Sequence, residues 1–152
     1  MKRSTLRTAF ALALLAALTG CMSYMSDPRG PKPEFKAALN AANIAPPTQS
    51  AGYGTLEARY LPTLQTIEWR LYFGQLSGPV TYAFLLGPDG VGMADAALVP
   101  INPPFEGNIQ RGSATLTEAQ AADLLAGRWS VVLRTARFPD GEISGPLVPA
   151  SR

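Results

Sequence analysis

The chain has 152 residues, 47% hydrophobic and 16% charged, with 13 Lys and Arg against 11 Asp and Glu, one cysteine and no histidine. This length suits one domain of ordinary size. Without histidine or a cysteine pair, imidazole acid-base chemistry, His/Cys zinc sites and internal disulfides are excluded at the outset.

The first residues, MKRSTLRTAFALALLAALTGC, set Lys2, Arg3 and Arg7 before an apolar run from Ala9 to Leu18, and Leu18-Thr19-Gly20-Cys21 follows. The apolar core is too short to span a bilayer, which is the layout of a secretory signal peptide. Leu-Thr-Gly-Cys resembles the lipobox of bacterial lipoproteins, so residues 1–20 are expected to be cleaved and the Cys21 thiol acylated, palmitate being the usual kind of chain. The alternative is an ordinary secreted protein whose cysteine merely follows the cleavage site. Against it, the lipobox coincides with the only cysteine of the chain, and a lone free thiol would be a liability in an oxidising compartment. Two or more acyl chains on a processed cysteine suffice for stable attachment to a membrane. Met22 stands where many Gram-negative lipoproteins carry the Asp of inner-membrane retention, so the expected location is the outer membrane, facing the periplasm. Loss of Lys2, Arg3 and Arg7 leaves ten basic against eleven acidic residues, a net charge of −1. No Lys/Arg cluster remains, so nucleic acid is not an expected partner.

Residues 21–33, the lipidated cysteine and MSYMSDPRGPKP, read as a flexible tether rich in Pro and Gly, in which Met22 and Met25 are incidental rather than copper ligands. Residues 34–152 then form the folded domain. In YGTLEARYL, Leu56, Ala58 and Tyr60 alternate with Thr55, Glu57 and Arg59, which predicts a strand with one wet face. In IEWRLYF, Ile67, Trp69, Leu71 and Phe73 alternate with Glu68, Arg70 and Tyr72, the clearest strand of the chain. VTYAFLL is apolar on both faces and is expected to lie inside a sandwich or beneath another element. A Gly-Pro-Asp-Gly turn at 87–90 leads to two further short strands, ADAALVPI and NIQRGSATL, the first limited by Pro100. Thr117 with Gln120 forms a capping box, Gly127 stops the helix, and Leu124 and Leu125 are expected to pack its inner side. WSVVLRT and EISGPLV finish the chain around a Pro139-Asp140-Gly141 turn. The fold class expected is all-β: an antiparallel Greek-key-like β-sandwich or open barrel with one short helix.

The order of FKAALNAANIAPPTQSAGYG, LQTIEWRLYFGQLSGPVTYAFLLGP and LTEAQAADLLAGRWSVVLRTARFPDGEISGPL resembles the CHRD domain, named for chordin and also found in bacterial secreted proteins. The resemblance runs from Glu34 to about Leu147. It departs where the family commonly reads Ala-His-Ile-His-Gly-Pro, since this chain has Ala83-Phe84-Leu85-Leu86-Gly87-Pro88. Arg134 likewise stands at a third family histidine, in Ser130-Val131-Val132-Leu133-Arg134-Thr135, and Gly141-Glu142-Ile143-Ser144-Gly145-Pro146 replaces Gly-Glu-Ile-Arg-Gly-Gln. Imidazoles at those positions could hold a divalent transition metal. Phe84 and Leu86 have no lone pairs and a guanidinium does not ligate, so no metal is expected there.

Two readings of Phe84, Leu86 and Arg134 follow. In one, with Val132, they fill the volume of the polar cluster and make a more hydrophobic core or sheet face. In the other, they are ligand or partner contacts, an apolar groove whose Arg134 meets an anionic group. Catalytic residues are not found. Asp140 suits its turn, Glu142 is expected to make a structural hydrogen bond or an ion pair with Arg134 or Arg137, and Asp89 and Asp95 lack a recognisable motif. The function expected is a non-enzymatic, cofactor-free, lipid-anchored envelope module that binds a protein or supports the envelope. The alternative is a carrier of a small hydrophobic anion.

Overall fold

A computed structural model describes residue 32, residues 34–88 and residues 97–150. Cys21, the tether before Lys32, Asp89 and Asp95 and part of the 87–90 turn lie outside them. The strands are β1 (Glu34–Asn40), β2 (Tyr53–Leu61), β3 (Thr66–Gly74), β4 (Val80–Leu86), β5 (Ala97–Ile101), β6 (Ile109–Thr115), β7 (Trp129–Thr135) and β8 (Ile143–Pro149), with one helix, α1 (Glu118–Leu125). All eight strands join one antiparallel sheet in the order β5-β4-β7-β8-β1-β2-β3-β6. Of the two expected architectures the molecule takes the open barrel, nearly closed on itself. The gap lies between β5 and β6, and Gln110 on β6 reaches over it, donating from Nε2 to the Asn102 and Pro104 carbonyls beyond β5. Exposed Pro100 removes one ladder donor from the β5 margin.

Because side chains change face at every residue of a strand, each strand sends alternate residues inward. Phe35, Ala37 and Leu39 of β1, Leu56, Ala58 and Tyr60 of β2, and Ile67, Trp69, Leu71 and Phe73 of β3 meet Leu85, Val99, Trp129, Leu133, Ile143 and Leu147 in one core. The expected alternation of β2 and β3 is reproduced residue for residue. β4 corrects the expectation that it is covered on both faces. Ala83 and Leu85 point into the core, but on the outer face Tyr82 is 61% exposed and Phe84 half-buried.

The Thr117 capping box forms as expected, with Gln120 N donating to Thr117 Oγ1 and Thr117 N donating to Gln120 Oε1. Gly127, at φ +69°, ends α1 in the left-handed region. The two leucines are neighbours about 100° apart around the helix axis, so only one faces the barrel. Leu124 is in the core and Leu125 is 48% exposed, which corrects the second half of that expectation.

The registers give the barrel two distinct ends. At one lie Glu34, the 62–65 turn, α1 and the first residue of β7; Leu116 N donates to Gln65 O and Ala150 N to Glu34 O. At the other lie the loops 41–52, 75–79, 102–108 and 136–142.

Candidate functional site

The loop end is tied together by one side chain, Glu142, where the 136–142 loop enters β8. It is fully buried, and its backbone N–H donates to Leu133 O. Its Oε1 accepts from Ser50 Oγ at 2.6 Å and Ser77 N at 2.7 Å, and its Oε2 from Ser77 Oγ at 2.7 Å and Thr135 Oγ1 at 2.5 Å. Thr48 Oγ1 donates to the Glu142 carbonyl at 2.9 Å. Burial pushes the carboxyl upward, but the donors from Ser50, Thr135 and Ser77 prevail and hold it below its ordinary value. Of the two roles expected for Glu142, the structural hydrogen bonds are therefore present. The ion pair with Arg134 or Arg137 is not found among the described residues. On β7 the strand period turns Thr135 inward and Arg134 outward, and Glu142, in the loop ahead of β8, is buried on the Thr135 side.

Phe84, Leu86 and Arg134 lie on the outer face of the barrel wall, so they do not fill the main core. The register sets Tyr82 opposite Arg134, Phe84 opposite Val132 and Leu86 opposite Ser130. The Tyr82 and Phe84 rings stack with centroids 6.0 Å apart and planes within 9°. Arg134 crosses over Phe84, its Cζ 5.5 Å from the ring centroid, a cation–π arrangement. The Nε of Arg134 is buried without a hydrogen-bond partner, and Arg134 makes no ion pair among the described residues.

Beside this ladder the outer face turns into a groove of about 700 Å³. Leu86 and Val132 form its floor, and both are buried although they belong to the outer face. Ile44, Ala45 and Pro46 make one wall, and Phe138, Pro139 and Gly141 the other. Gly141, at φ +144°, lets the walls meet: a Cβ there would stand 2.8 Å from Ile44 Cδ1 and 3.2 Å from Val132 Cγ2. Arg137 and Asp140 are the charged residues of the lining. Leu86 alone of the three expected contact residues lines the groove. Phe84 and Arg134 flank it on the same two strands, two residues along from Leu86 and Val132. Ile44 and Phe138 are not expected as lining from the sequence, and Arg137 is expected only as an ion-pair partner of Glu142, because loop positions carry no periodic signal.

A second depression, about 690 Å³, lies across β1, β2, β3 and β6 and is filled by charged cross-strand neighbours. Lys36 Nζ is 3.8 Å from Glu57 and Arg59 Nη2 2.9 Å from Glu68, exposed pairs of an ordinary wet sheet face. Among the described residues no cluster of three or more His, Cys, Asp or Glu is placed to hold a metal ion. None of the described helices is long and apolar enough to cross a membrane.

A nearly closed antiparallel barrel with its loops tied at one end, and an aromatic and apolar patch on its wall, defines a binding or structural module. Residues 35–147 match the model of the CHRD domain, and the chain belongs to that family, a non-catalytic one. No curated protein and no solved structure is significantly similar to the chain.

Proposed function

We propose that this chain is a lipid-anchored envelope protein, held to the outer membrane through Cys21, whose CHRD domain binds another envelope protein on its outer β4–β7 face. The observation that carries the reading is the Tyr82, Phe84 and Arg134 ladder, which leaves stacked aromatic surface and a guanidinium on the outside of the wall. Tyr and Arg presented together in this way are the residue types that dominate protein interfaces. Stacking on Phe84 holds the Arg134 fork in one orientation, which lowers the entropy lost when a carboxylate of a partner meets it.

A photo-crosslinking residue at position 82, introduced in cells that acylate the chain, is expected to capture one envelope protein reproducibly. The same residue at position 57, on β2 across the barrel from β4 and β7, is expected to capture none. Phe84→Ala combined with Arg134→Ala should abolish the capture while leaving the unfolding midpoint within about 1 kcal/mol of wild type, because both side chains lie outside the core. Equal capture from both positions would defeat the reading.

The groove favours a second reading, carriage of a small hydrophobic anion. Its volume is that of a small-molecule site, its floor is Leu86 and Val132, and Arg137 supplies a cation in its lining. Native mass spectrometry of protein extracted from the envelope decides between the two: an added small-molecule mass that Leu86→Trp removes supports carriage, and a bare protein mass removes its basis.

A further inference from the structure

The α1 end of the barrel carries apolar side chains that nothing in the described chain covers. Leu64, in the turn between β2 and β3, is 65% exposed, and Leu125, the last residue of α1, is 48% exposed. On the same helix Ala119, Ala122 and Ala126 are exposed, at spacings of three and four residues, so with Leu125 they form one stripe turned away from the core. The two patches adjoin, since Leu116 N, just ahead of the helix, donates to Gln65 O at 2.7 Å. Among the described residues neither leucine is part of the core. From the same helix and its lead-in, Leu116, Ala121 and Leu124 supply the core.

The path of the chain says what covers this end. β1 begins here, Glu34 pairing with Arg59 immediately before the turn that holds Leu64. Cys21 lies thirteen residues before Glu34, a reach of at most ~45 Å of extended chain. A lipid on Cys21 would therefore join the barrel at its α1 end, which makes that end the nearest to the point of attachment. The charges decide which kind of contact is made. Lys36 with Glu57, Arg59 with Glu68 and Arg128 with Asp123 balance one another, and Glu34 and Glu118 outweigh the single further cation at this end among the described residues, Lys32. Attraction to anionic lipid is thus not the driving term, and apolar burial in the interface is.

We propose that the α1 end, through Leu64 and the stripe of Ala119, Ala122, Leu125 and Ala126, rests in the interfacial layer of a lipid bilayer. The barrel then stands on the membrane with its loop end raised, and the Tyr82 ladder and the groove on its wall are accessible from the side. The proposal rests on the reading of Cys21 as acylated.

The test uses the acylated full-length product reconstituted in phosphatidylcholine vesicles. Acylation blocks Cys21, the only native cysteine, so Leu64→Cys, Leu125→Cys and, at the loop end, Glu106→Cys each accept a single environment-sensitive dye. The dyes at 64 and 125 are expected to shift to the blue and to be quenched severalfold more than the dye at 106 by lipids carrying quenchers in their acyl chains. Raising the salt concentration should leave this unchanged. Leu64→Glu should reduce the quenching at 125, with circular dichroism verifying that the barrel is intact. Equal quenching at all three positions overturns the proposal, and so does a blue-shifted dye at 64 that lipid quenchers do not reach, which would mean that a second protein covers the face. The mass of the N-terminal peptide separates the two readings. Acylated protein without differential quenching defeats the docking alone, and an unmodified Cys21 defeats the anchor and the docking with it.

Discussion

Glu142 takes a carboxylate out of water without a cation beside it among the described residues, and the hydroxyls of Ser50, Ser77 and Thr135 with the Ser77 amide stand in for hydration. Hydrogen bonds to a charged group are stronger than neutral ones, and removing the charge leaves donors with nothing to donate to. Glu142→Gln keeps the shape but turns an NH2 toward groups that already donate. It is expected to lower stability by about 2–4 kcal/mol, read from urea unfolding at neutral pH. The pH dependence follows from the lowered carboxyl. A group whose folded pKa lies below its unfolded one contributes stability in full above the unfolded value of 4.5 and loses it as the pH falls toward the folded value. Wild-type protein should therefore weaken on acidification below about pH 4.5, and Glu142→Gln should remove that portion of the slope. The sequence leaves two partners open for this residue because Arg134 and Arg137 are near in number. The loop resolves it in favour of Thr135: Glu142 precedes β8, and after Gly141 at φ +144° the chain turns its side chain inward beside Ile143, out of the strand period, where it meets inward Thr135.

Among elements, β2 and β3 are legible in the sequence because strict apolar and polar alternation leaves only one face for the core. β1 gives a weaker signal: Phe35, Ala37 and Leu39 alternate, but Ala38 and Lys36 between them have little strand preference, and the segment is recognisable by family motif rather than by period. β4 misleads for a different reason. Its outer face is apolar because Leu86 is roofed by the 44–46 and 138–141 loops and Phe84 by Arg134, a cover that no pattern within the strand announces. In α1, neighbouring leucines stand about 100° apart around the axis, so an eight-residue helix lying on the barrel mouth buries Leu124 and releases Leu125. The pairing of β8 with β1 has one further requirement that only the packing reveals. A Cβ on Gly145 would run into the Ala38 carbonyl oxygen and stand 3.4 Å from Leu39 Cα. Gly145→Ala must push the strands apart at the middle of their ladder, and a loss of about 3 kcal/mol or more is expected in urea unfolding. Ser144→Ala, on the outward side of the same strand, gives up one exposed hydrogen bond to Asn43 O and should cost about 1 kcal/mol or less.

For the whole molecule, the domain and the proposed anchor at Cys21 are separable in the physical sense. Among the described residues the barrel is held by one core and by the Glu142 tie, and without a second cysteine no disulfide can form within the chain. The residues of that core run from Phe35 to Leu147, so changing Cys21 should leave the unfolding midpoint where it is. Attachment is another matter. Two exposed leucines and a stripe of alanines bury far less apolar surface than acyl chains do, and interfacial contact of that size orients a tethered protein without retaining a free one. Cys21→Ser is therefore expected to move the protein from the outer-membrane fraction to the soluble periplasmic fraction, or to leave the uncleaved precursor at the inner membrane, while protein recovered from either source unfolds in urea at the wild-type midpoint. If instead the variant stayed in the outer-membrane fraction with its signal removed, the barrel surface or a partner gripping Phe84 and Arg134 would be supplying the retention. Repeating the fractionation with Phe84→Ala and Arg134→Ala added would then assign it, since loss of retention names the β4–β7 face and persistence names the α1 end.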